Sequence, residues 1–380
     1  MNAKSIRGDS PEEIDIQLKE SLADGFRPTL AFVFCSIQQD IPGISKMLDQ
    51  AGITIFGATS AGEFIDGKIS HGAISILMMD MDPGNFILLF DDYNQKDHNE
   101  VAASLAEQAV AKYKNPGLIL SYSVDLATDL ANGEPIIRSI ESVAGTNANI
   151  WGGGAGDDLA FIQTEVFTNN RIEKKGIILL AVDAEKVTIQ GMAASGQKPV
   201  GTEKTLTKVI NNIVYEIDHH PATEMVIKYL GLTLTPEEAE KFNPGIIVFS
   251  LLRPKGNSVL RSSGIFNWKN KSIAINGSIK EGDKIRLTLP PDFEVVEEVS
   301  RLAQEVKNST FPEADALLMF SCVGRLGEFG PMAGDEIEGV RTVFNAPMAG
   351  FFTYGEFGRA TNGNNEFHNN TCCWVGIKEN

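Results

Sequence analysis

Three glycine-rich turns of similar form carry the residues in this sequence that are best suited to chemistry. Two of them read G-x-x-x-x-G-E-F, at residues 57–64 and 350–357, and each follows a short apolar run. The third, at residues 152–157, is one residue shorter and ends in Asp157. Because glycine tolerates positive φ and close backbone approach, these segments predict tight turns after strand ends, each followed by an acid. A P-loop has lysine where these turns have an acid, so they are not phosphate-binding loops.

The elements around the turns repeat as well. An apolar run that ends in small polar residues precedes each turn, with room for one helix in between, and a second apolar run follows it. These runs occupy residues 30–36, 118–123 and 317–322 before the turns, and 72–77, 176–181 and 371–376 after them. The repeated unit is therefore strand, helix, strand, glycine turn, strand. Three copies predict an α/β (α+β) fold of mixed sheets with packed helices.

Other segments predict further elements. A capping box with proline at the first helical position, Ser10 to Glu13, begins a helix whose apolar positions fall on one face. A glycine turn at residues 277–282 lies between two strand-like runs, 272–275 and 284–289, and predicts a hairpin. At 380 residues the chain is long for a single core, so two domains are expected, with a junction near residues 214–221.

Composition excludes several classes of function. The chain has 43% hydrophobic and 22% charged residues, which is typical of a globular protein, and no apolar run of membrane-spanning length. A net charge of −17 without a basic cluster argues against binding to nucleic acid or to anionic membranes. The four cysteines form no C-x-x-C pair, and no signal region begins the sequence. We therefore expect a reduced, cytoplasmic protein that does not insert into membranes.

Polar residues after strand ends form the candidate binding site, because α/β sheets bind ligands at that edge. A zwitterionic ligand needs an acid for its ammonium and an arginine or an N–H cluster for its carboxylate. Arg325 and Glu356 together offer that pair, and a structural salt bridge is the alternative. The acids Glu63 and Asp157 are open to a structural interpretation too. The candidate ligand-binding residues are Cys35, Ser36, Thr59, Ser60, Glu63, Ser321, Cys322, Gly324, Arg325, Thr353, Tyr354, Gly355, Glu356 and His368.

An enzymatic alternative rests on Cys322. A cysteine nucleophile needs a base and an orienting acid, and His368 and Glu356 both lie within the last sixty residues. The competing interpretation is a small buried residue at a strand end. The five histidines show no spacing typical of a metal site. Neither a metal nor a cofactor is expected.

Several motifs, taken in order, resemble the FIST sensory domain family (F-box and intracellular signal transduction proteins). Residues 57–63 resemble its N-terminal G-x-S-T-A-G-E turn, with Thr and Ser in swapped order, and 214–222 resemble V-x-E-L-D-G-x-P-A. Residues 320–325 resemble F-S-C-x-G-R. Residues 350–356 resemble G-F-x-x-x-G-E, and 368–371 resemble H-N-x-T. The matches span nearly the whole chain, although His219 and His220 replace the family's usual glycine region.

This resemblance implies a domain organisation and a function. After the capped helix at residues 1–27, it implies a FIST N-terminal domain at 28–217 and a FIST C-terminal domain at 218–380. It also implies intracellular sensing of a small ligand, an amino acid or related metabolite, by a stand-alone protein of bacterial type. Such a sensor signals through a separate partner protein. The alternatives are a hydrolase or amidotransferase-like enzyme that uses Cys322, and a protein-interaction scaffold with a vestigial pocket.

Overall fold

The computed structural model describes residues 1–124, 133–242, 246–254, 256–292, 294–330, 332–361 and 363–380. Within them, the first repeated unit contains β1 Ala3–Gly8, α1 Pro11–Leu22, β2 Leu30–Cys35, α2 Ile41–Gln50, β3 Thr54–Thr59, β4 Glu63–Ile65, β5 Lys68–Ser70 and β6 Ile74–Met79. The second contains β7 Phe86–Asp92, α3 His98–Lys112, β8 Gly117–Tyr122, α4 Gly133–Ala144, β9 Asn149–Gly154, β10 Val166–Phe167, β11 Ile172–Glu173 and β12 Gly176–Val182.

The third unit is interrupted by an insertion. It begins with β13 Val187–Ala194 and resumes with α7 Val295–Ser309, β21 Ala316–Cys322, α8 Val323–Phe329, α9 Met332–Phe344, β22 Met348–Thr353, β23 Glu356–Gly358, β24 Glu366–His368 and β25 Cys372–Glu379. The insertion contains β14 Lys198–Ile210, β15 Ile213–Ile217, β16 His220–Pro221, α5 Ala222–Tyr229, α6 Pro236–Lys241, β17 Val248–Leu251, β18 Val259–Asn267, β19 Ser272–Ile275 and β20 Lys284–Leu289.

The three units build three six-stranded sheets with the same plan. Their orders are β1-β6-β2-β3-β10-β11, β7-β12-β8-β9-β23-β24 and β13-β25-β21-β22-β4-β5. In each sheet the two strands before the turn are parallel and the other pairings are antiparallel. The prediction of an α/β fold built from three repeated units is confirmed.

Each sheet is completed by a hairpin from another unit. The β4–β5 hairpin of the first unit pairs with β22 of the third, β10–β11 of the second with β3 of the first, and β23–β24 of the third with β9 of the second. The exchange is cyclic, so every unit gives one hairpin and receives another. The sequence repeat predicts the units but not this exchange, because strand pairing between units leaves no periodic signal.

The first glycine of each turn faces a phenylalanine of the incoming hairpin. Gly57 lies opposite Phe167, Gly152 opposite Phe357 and Gly350 opposite Phe64. A Cβ on Gly57 would lie 2.2 Å from the Phe167 ring, and one on Gly350 would lie 2.4 Å from the Phe64 ring. Glycine and phenylalanine of the G-x-x-x-x-G-E-F pattern therefore serve the hairpin exchange.

The three sheets enclose one shared apolar core and carry helices on their outer faces. Phe34 and Phe351, from different units, stack in this core with ring centroids 4.5 Å apart. Helices α1 and α2 pack on the first sheet, α3 and α4 on the second, and α7 and α9 on the third. We refer to this part as the three-sheet body.

The insertion forms a second body with its own core. Its strands follow the order β14-β20-β17-β18-β19-β15-β16, and β14 also pairs with β15, so six strands close into a barrel. Strands β19 and β20 pair with other strands and not with each other, so the predicted hairpin around residues 277–282 is wrong. The predicted domain junction at 217/218 falls inside this barrel, between β15 and β16. Two bodies of mixed strands and packed helices are present, as expected for a two-domain chain.

Buried charges join the barrel to the three-sheet body. Arg261 of β18 is 1% exposed and donates to the Glu134 carboxylate at the start of α4. Arg253 of the barrel donates to Glu134 and, at 3.1 Å, to Glu366 of β24. Because a buried ion pair that loses one partner leaves an uncompensated charge, this cluster stabilises the docked arrangement of the two bodies.

Candidate functional site

A cavity of about 420 Å³ lies where the barrel meets the strand ends of the third unit. This volume is in the range of small-molecule sites. Residues of both bodies line it: Ile246, Ser262, Ser263, Gly264, Ile265 and Asn276 from the barrel, and Val124, Phe161, Cys322, Val323, Gly324, Thr353, Tyr354, Gly355 and Asn369 from the three-sheet body. A molecule bound here would contact both bodies at once.

The parallel pair β21 and β22 positions the floor of the cavity. Cys322 and Thr353 are register partners at the ends of these strands, so their side chains reach the same edge of the sheet. The chain then turns at Gly355, which has φ +114°, a conformation that favours glycine. Five of the predicted residues therefore line the cavity, namely Cys322, Gly324, Thr353, Tyr354 and Gly355.

Two amide oxygens on the cavity wall have no hydrogen-bond partner in the described part of the chain. They are Oδ1 of Asn276, from the barrel, and Oδ1 of Asn369, a residue that is 4% exposed. A buried acceptor without a partner costs about 1–3 kcal/mol, so native proteins keep few of them. The two oxygens come from opposite bodies, and both are buried within the wall and not exposed to the cavity.

The cavity mouth is apolar. Phe161 is 53% exposed and stacks on Tyr354 with centroids 4.8 Å apart and an interplanar angle of 15°. Ile265, on the barrel side, is 74% exposed. The Phe161 loop is held by Asp157, whose carboxylate accepts three backbone N–H groups of the loop and the Tyr354 hydroxyl at 2.6 Å. Asp157 thus orders the loop that forms the mouth.

Backbone conformation in this loop is unusual. Asp158, Leu159 and Phe161 have φ values of +55°, +66° and +53°. Bulky side chains rarely adopt this left-handed region, and such conformations persist where the surroundings fix them, often at functional sites. The Asp157 hydrogen bonds supply that constraint.

Glu356 lies behind the cavity floor. Its carboxyl group is fully buried and accepts the Thr353 hydroxyl at 2.6 Å and the Thr371 hydroxyl at 2.9 Å. Burial raises the pKa of Glu356 to about 8, so the group is mostly uncharged at neutral pH. Its hydrogen bonds join the glycine turn to the start of β25.

Arg325 does not line the cavity and does not pair with Glu356. Its side chain is buried and forms an ion pair with Glu336 of α9, while its Nη1 donates to the carbonyl oxygens of Ser195 at 2.7 Å and Asn370 at 3.1 Å. The Arg325–Glu356 pair expected for a zwitterion is therefore not formed. The guanidinium instead connects α8 with α9 and with Ser195, which lies in the segment between β13 and the first barrel strand, β14.

The structure does not assemble the cysteine triad. Within the described residues no hydrogen bond joins Cys322 to His368, whose Nε2 lies 3.3 Å from the Gly358 carbonyl oxygen. Burial, together with Arg261, lowers the pKa of His368 to about 4. Burial and the adjacent Glu356 raise the pKa of the Cys322 thiol. A thiol with a raised pKa and no histidine base is a poor nucleophile, so this geometry does not support cysteine catalysis.

The N-terminal candidates lie at the corresponding edge of the first sheet and not in the cavity. Glu63 is fully buried and accepts hydrogen bonds from the Ser60 hydroxyl and from Ala73 N, at 3.1 Å. Burial raises the pKa of Glu63 to about 7. Thr59 bonds to the backbone of Glu165. These side chains satisfy one another and tie the turn to its neighbours.

The remaining predicted residues are also outside the cavity. Cys35 packs in the core between the first sheet and its helices, and burial raises the pKa of its thiol. The Ser36 hydroxyl donates to Asp158 at 2.6 Å, so it supports the loop at the cavity mouth. Ser321 is 1% exposed, and its carbonyl accepts the Thr353 hydroxyl.

Two important lining residues, Asn276 and Asn369, do not stand out in the sequence. Asn276 belongs to the barrel and directly precedes the glycine turn at residues 277–282, which predicts a hairpin and not a binding site. Asn369 lies within the H-N-x-T segment, so its position in that motif is the one signal that points to it. The cavity is formed by the docking of two bodies, which a linear pattern does not encode.

Fold and cavity together define an α/β protein with a site of small-molecule size between two bodies. Residues 29–220 match the protein family described as FIST N domain, and residues 222–359 match the family described as FIST C domain. The chain therefore belongs to the FIST family, whose domains are sensory domains of signal transduction. No curated protein matches the chain. In the described residues, no helix has the length and apolar character needed to cross a membrane.

Proposed function

We propose that this chain is a sensory protein that binds a small metabolite, an amino acid or a relative of one, in the cavity between barrel and three-sheet body. The observation that carries this proposal is that a cavity of small-molecule size is lined by residues of both bodies. A ligand bound there would gain contacts that exist only when the bodies are docked.

Such a ligand would favour one arrangement of the two bodies. A ligand shifts a conformational equilibrium only by its difference in affinity for the two states, and a site between bodies provides that difference. We propose that a separate signalling protein in the cytoplasm detects this change. The four cysteines are free and buried, which fits a reducing compartment.

A variant that narrows the cavity tests the site. A Cβ on Gly264 would meet no atom closer than 3.5 Å, and Gly264 lines the cavity, so Gly264→Val places a branched side chain at the cavity wall without a clash at Cβ. Thermal unfolding of the wild type against amino acids and common metabolites should reveal stabilisation by one chemical class. A ligand at about a hundred times its Kd adds about 2.7 kcal/mol, which raises Tm by several degrees.

The matched control is Gly327→Val, at an exposed position where a Cβ meets nothing within 4 Å. The Gly264→Val variant should lose the ligand-dependent shift in Tm, and Gly327→Val should keep it. Equal shifts in both variants would place the ligand outside this cavity.

A second candidate function, a protein-interaction scaffold, is favoured by the exposed apolar side chains near the mouth. Leu159 is 49% exposed, Phe161 53% and Ile162 78%, and the three lie within four residues of one loop. Exposed apolar clusters mark interaction sites on many proteins. A complex with a protein partner that forms equally well with wild type and Gly264→Val, without any small molecule, would support the scaffold over the sensor.

A further inference from the structure

We infer that the outer edge of β5 and the groove beside it form a docking surface for a separate protein, which supplies an extended segment with an arginine side chain. The third sheet ends at β5, and in the part of the chain that the structure describes this strand pairs with β4 alone. An unpaired sheet edge is a template for a strand of another chain. The second sheet, which has the same plan, shows how such an edge is covered in this molecule.

Backbone groups of Ile69 point away from the sheet. The amide of Asp66 bonds to the carbonyl oxygen of Met348 at 3.2 Å, and the amide of Phe352 bonds to that of Gly62 at 2.8 Å. The even-numbered positions in and next to β4 therefore bond to β22. Because bonding alternates along an antiparallel strand, the odd-numbered positions bond to β5. Ile69 lies opposite an even-numbered position, so its N–H and C=O are directed to the open edge.

Phe367 of β24 holds the equivalent edge position in the second sheet, and there the barrel covers it. Ile69 and Phe367 each lie opposite the phenylalanine of a G-x-x-x-x-G-E-F turn. The carbonyl oxygen of Phe367 accepts a hydrogen bond from Nη1 of Arg261 at 2.8 Å. The same guanidinium pairs with Glu134, in the first turn of α4. One buried arginine of the barrel thus binds an edge carbonyl and a helix carboxylate together.

The third sheet offers the same two kinds of acceptor without the arginine. Its helix α9 has an exposed acid, Asp335, in the first turn. Ile69 and Asp335 both line an open groove of about 800 Å³ between the β4–β5 hairpin and helices α8 and α9. A Cβ on Gly334 would lie 3.3 Å from the Gly67 carbonyl oxygen, so the start of α9 lies directly against the hairpin. An arginine in this groove would meet the combination of groups that Arg261 binds in the second sheet.

Charges in the groove define the partner further. Glu338 and Arg341 of α9 pair with each other at 2.7 Å. Asp335 and Lys68, in contrast, are exposed and have no ion pair among the described residues. An unpaired carboxylate attracts a cation and an unpaired ammonium attracts an anion, so the segment that fits carries an arginine and an acidic residue.

The edge of the first sheet, β11, lies against the second unit. The Ser123 hydroxyl donates to the Glu173 carbonyl oxygen at 2.8 Å, and the Arg171 guanidinium pairs with Asp92 at 3.2 Å. Of the three equivalent edges, β24 faces the barrel and β11 contacts the second unit. The edge of β5 is therefore the one that suits a partner outside the chain.

Helix α8 connects this surface with the cavity. Val323 and Gly324, in its first turn, line the cavity, whereas Leu326 lines the groove. A protein docked in the groove would thus contact a helix that a ligand in the cavity also contacts. Identification of the docked protein as the signalling partner rests on the proposed function, whereas the docking surface itself does not.

Hydrogen exchange of the free protein tests whether the edge is open. The amide of Ile69 should exchange much faster than the amides of Lys68 and Ser70, which bond to β4. Equal protection of the three amides would overturn the inference. If the chain were also a dimer in that case, the occupant of the edge would be a second copy.

Random short peptides displayed on phage are the probe for the partner. Peptides selected on the wild type should share an arginine and should slow exchange at the Ile69 amide. They should bind the Asp335→Asn variant about tenfold more weakly, because a charge-assisted hydrogen bond is lost. N-methylation of a selected peptide should weaken binding at the residue that pairs with Ile69 and not at its two neighbours.

Glu107→Gln is the matched control, because Glu107 is an exposed acid of α3 and has no ion pair in the described residues. Its affinity for the peptides should equal that of the wild type. Equal affinity of wild type and Asp335→Asn, or unchanged exchange at Ile69, would overturn the inference, as would a library that yields no binding peptide. Peptides that slow exchange at residues 159–162 instead would place the partner at the cavity mouth. None of these results depends on Gly264, so the proposed function fails only in its own ligand test.

Discussion

The Glu63 turn and the Glu356 turn have the same sequence pattern and different surroundings. In each, a hydroxyl three residues before the acid donates to it, Ser60 in one and Thr353 in the other. Each acid also accepts a backbone N–H from the following strand, at Ala73 or Thr371. The first turn is enclosed by its neighbours, whereas the barrel covers the second and leaves a cavity. The motif therefore specifies the turn, and the candidate site arises only at the copy that the docked barrel covers.

The comparison separates two roles within one motif. Glycine, acid and phenylalanine stabilise the turn and the exchanged hairpin in both copies. The residue before the second glycine differs, being Ala61 in the first turn and Tyr354 in the second. Tyr354 reaches Asp157 and stacks on Phe161, and Ala61 has no side chain that extends so far. The candidate site is therefore built at positions where the two copies of the repeat differ.

The largest effect is expected from Gly350→Ala. A Cβ there would lie 2.2 Å from the Met319 carbonyl oxygen and 2.4 Å from the Phe64 ring, so backbone and ring must both move. We expect the free energy of unfolding to fall by at least about 3 kcal/mol, measured by urea denaturation. Gly57→Ala should cost less, because the three atoms nearest to the added Cβ all belong to the Phe167 ring, which can move more easily than backbone. A larger loss in Gly57→Ala would contradict this ranking.

The next effect concerns the two carboxyl groups and pH. Burial raises the pKa of Glu63 to about 7 and that of Glu356 to about 8, from a usual value of 4.5. Because the folded state holds the proton more tightly, each contribution to stability is full below pH 4.5 and declines as pH rises through the folded pKa. Between pH 4.5 and a pH above 8, both glutamine variants should therefore gain free energy of unfolding relative to the wild type. The gain should be about 1.4 kcal/mol larger for Glu356→Gln than for Glu63→Gln.

This difference can be measured by urea denaturation of the wild type and both glutamine variants from pH 5 to pH 9. The free energy of unfolding of each variant, minus that of the wild type, should be smallest at pH 5. This difference should increase as pH rises. A constant gap across this range would show that both carboxyl groups titrate normally in the folded protein.

The smallest effect is expected from Tyr354→Phe. The change removes the hydrogen bond from the Tyr354 hydroxyl to Asp157 and keeps the stack on Phe161. We expect a loss of about 1–2 kcal/mol in the free energy of unfolding, since a charged acceptor loses one donor. Hydrogen exchange at the amides of residues 161–163 should become faster. Equal exchange in variant and wild type would mean that Asp157 holds the loop without the tyrosine.

Much of the fold follows from local patterns. The capping box at Ser10 begins α1, and the apolar runs become strands of the three sheets, because caps and periodicity are encoded in neighbouring residues. Strand β1 lacks a clear alternating pattern and is defined by its pairing with β6, so the sequence does not reveal it.

The site is less accessible from sequence for a physical reason. Residues near a glycine turn can be assigned to one sheet edge, and five of them do line the cavity. The partner of Arg325 cannot be assigned in this way, since Glu336 is one of several acids within reach along the chain. The contribution of Asn276 depends on how an inserted barrel docks, which is a property of tertiary packing.

The cyclic exchange of hairpins has a consequence for synthesis on the ribosome. The first sheet needs no residue beyond Glu173, so it can be complete while more than half of the chain is still to be made. The barrel can close next, because its strands end at Leu289. The β4–β5 hairpin, in contrast, can pair only after β22 has been made, because Ile65 of β4 pairs with Ala349 of β22. An early-made hairpin thus stays without its sheet until residues near Ala349 have emerged, and the pairing of β4 with β22 then joins the first unit to the third.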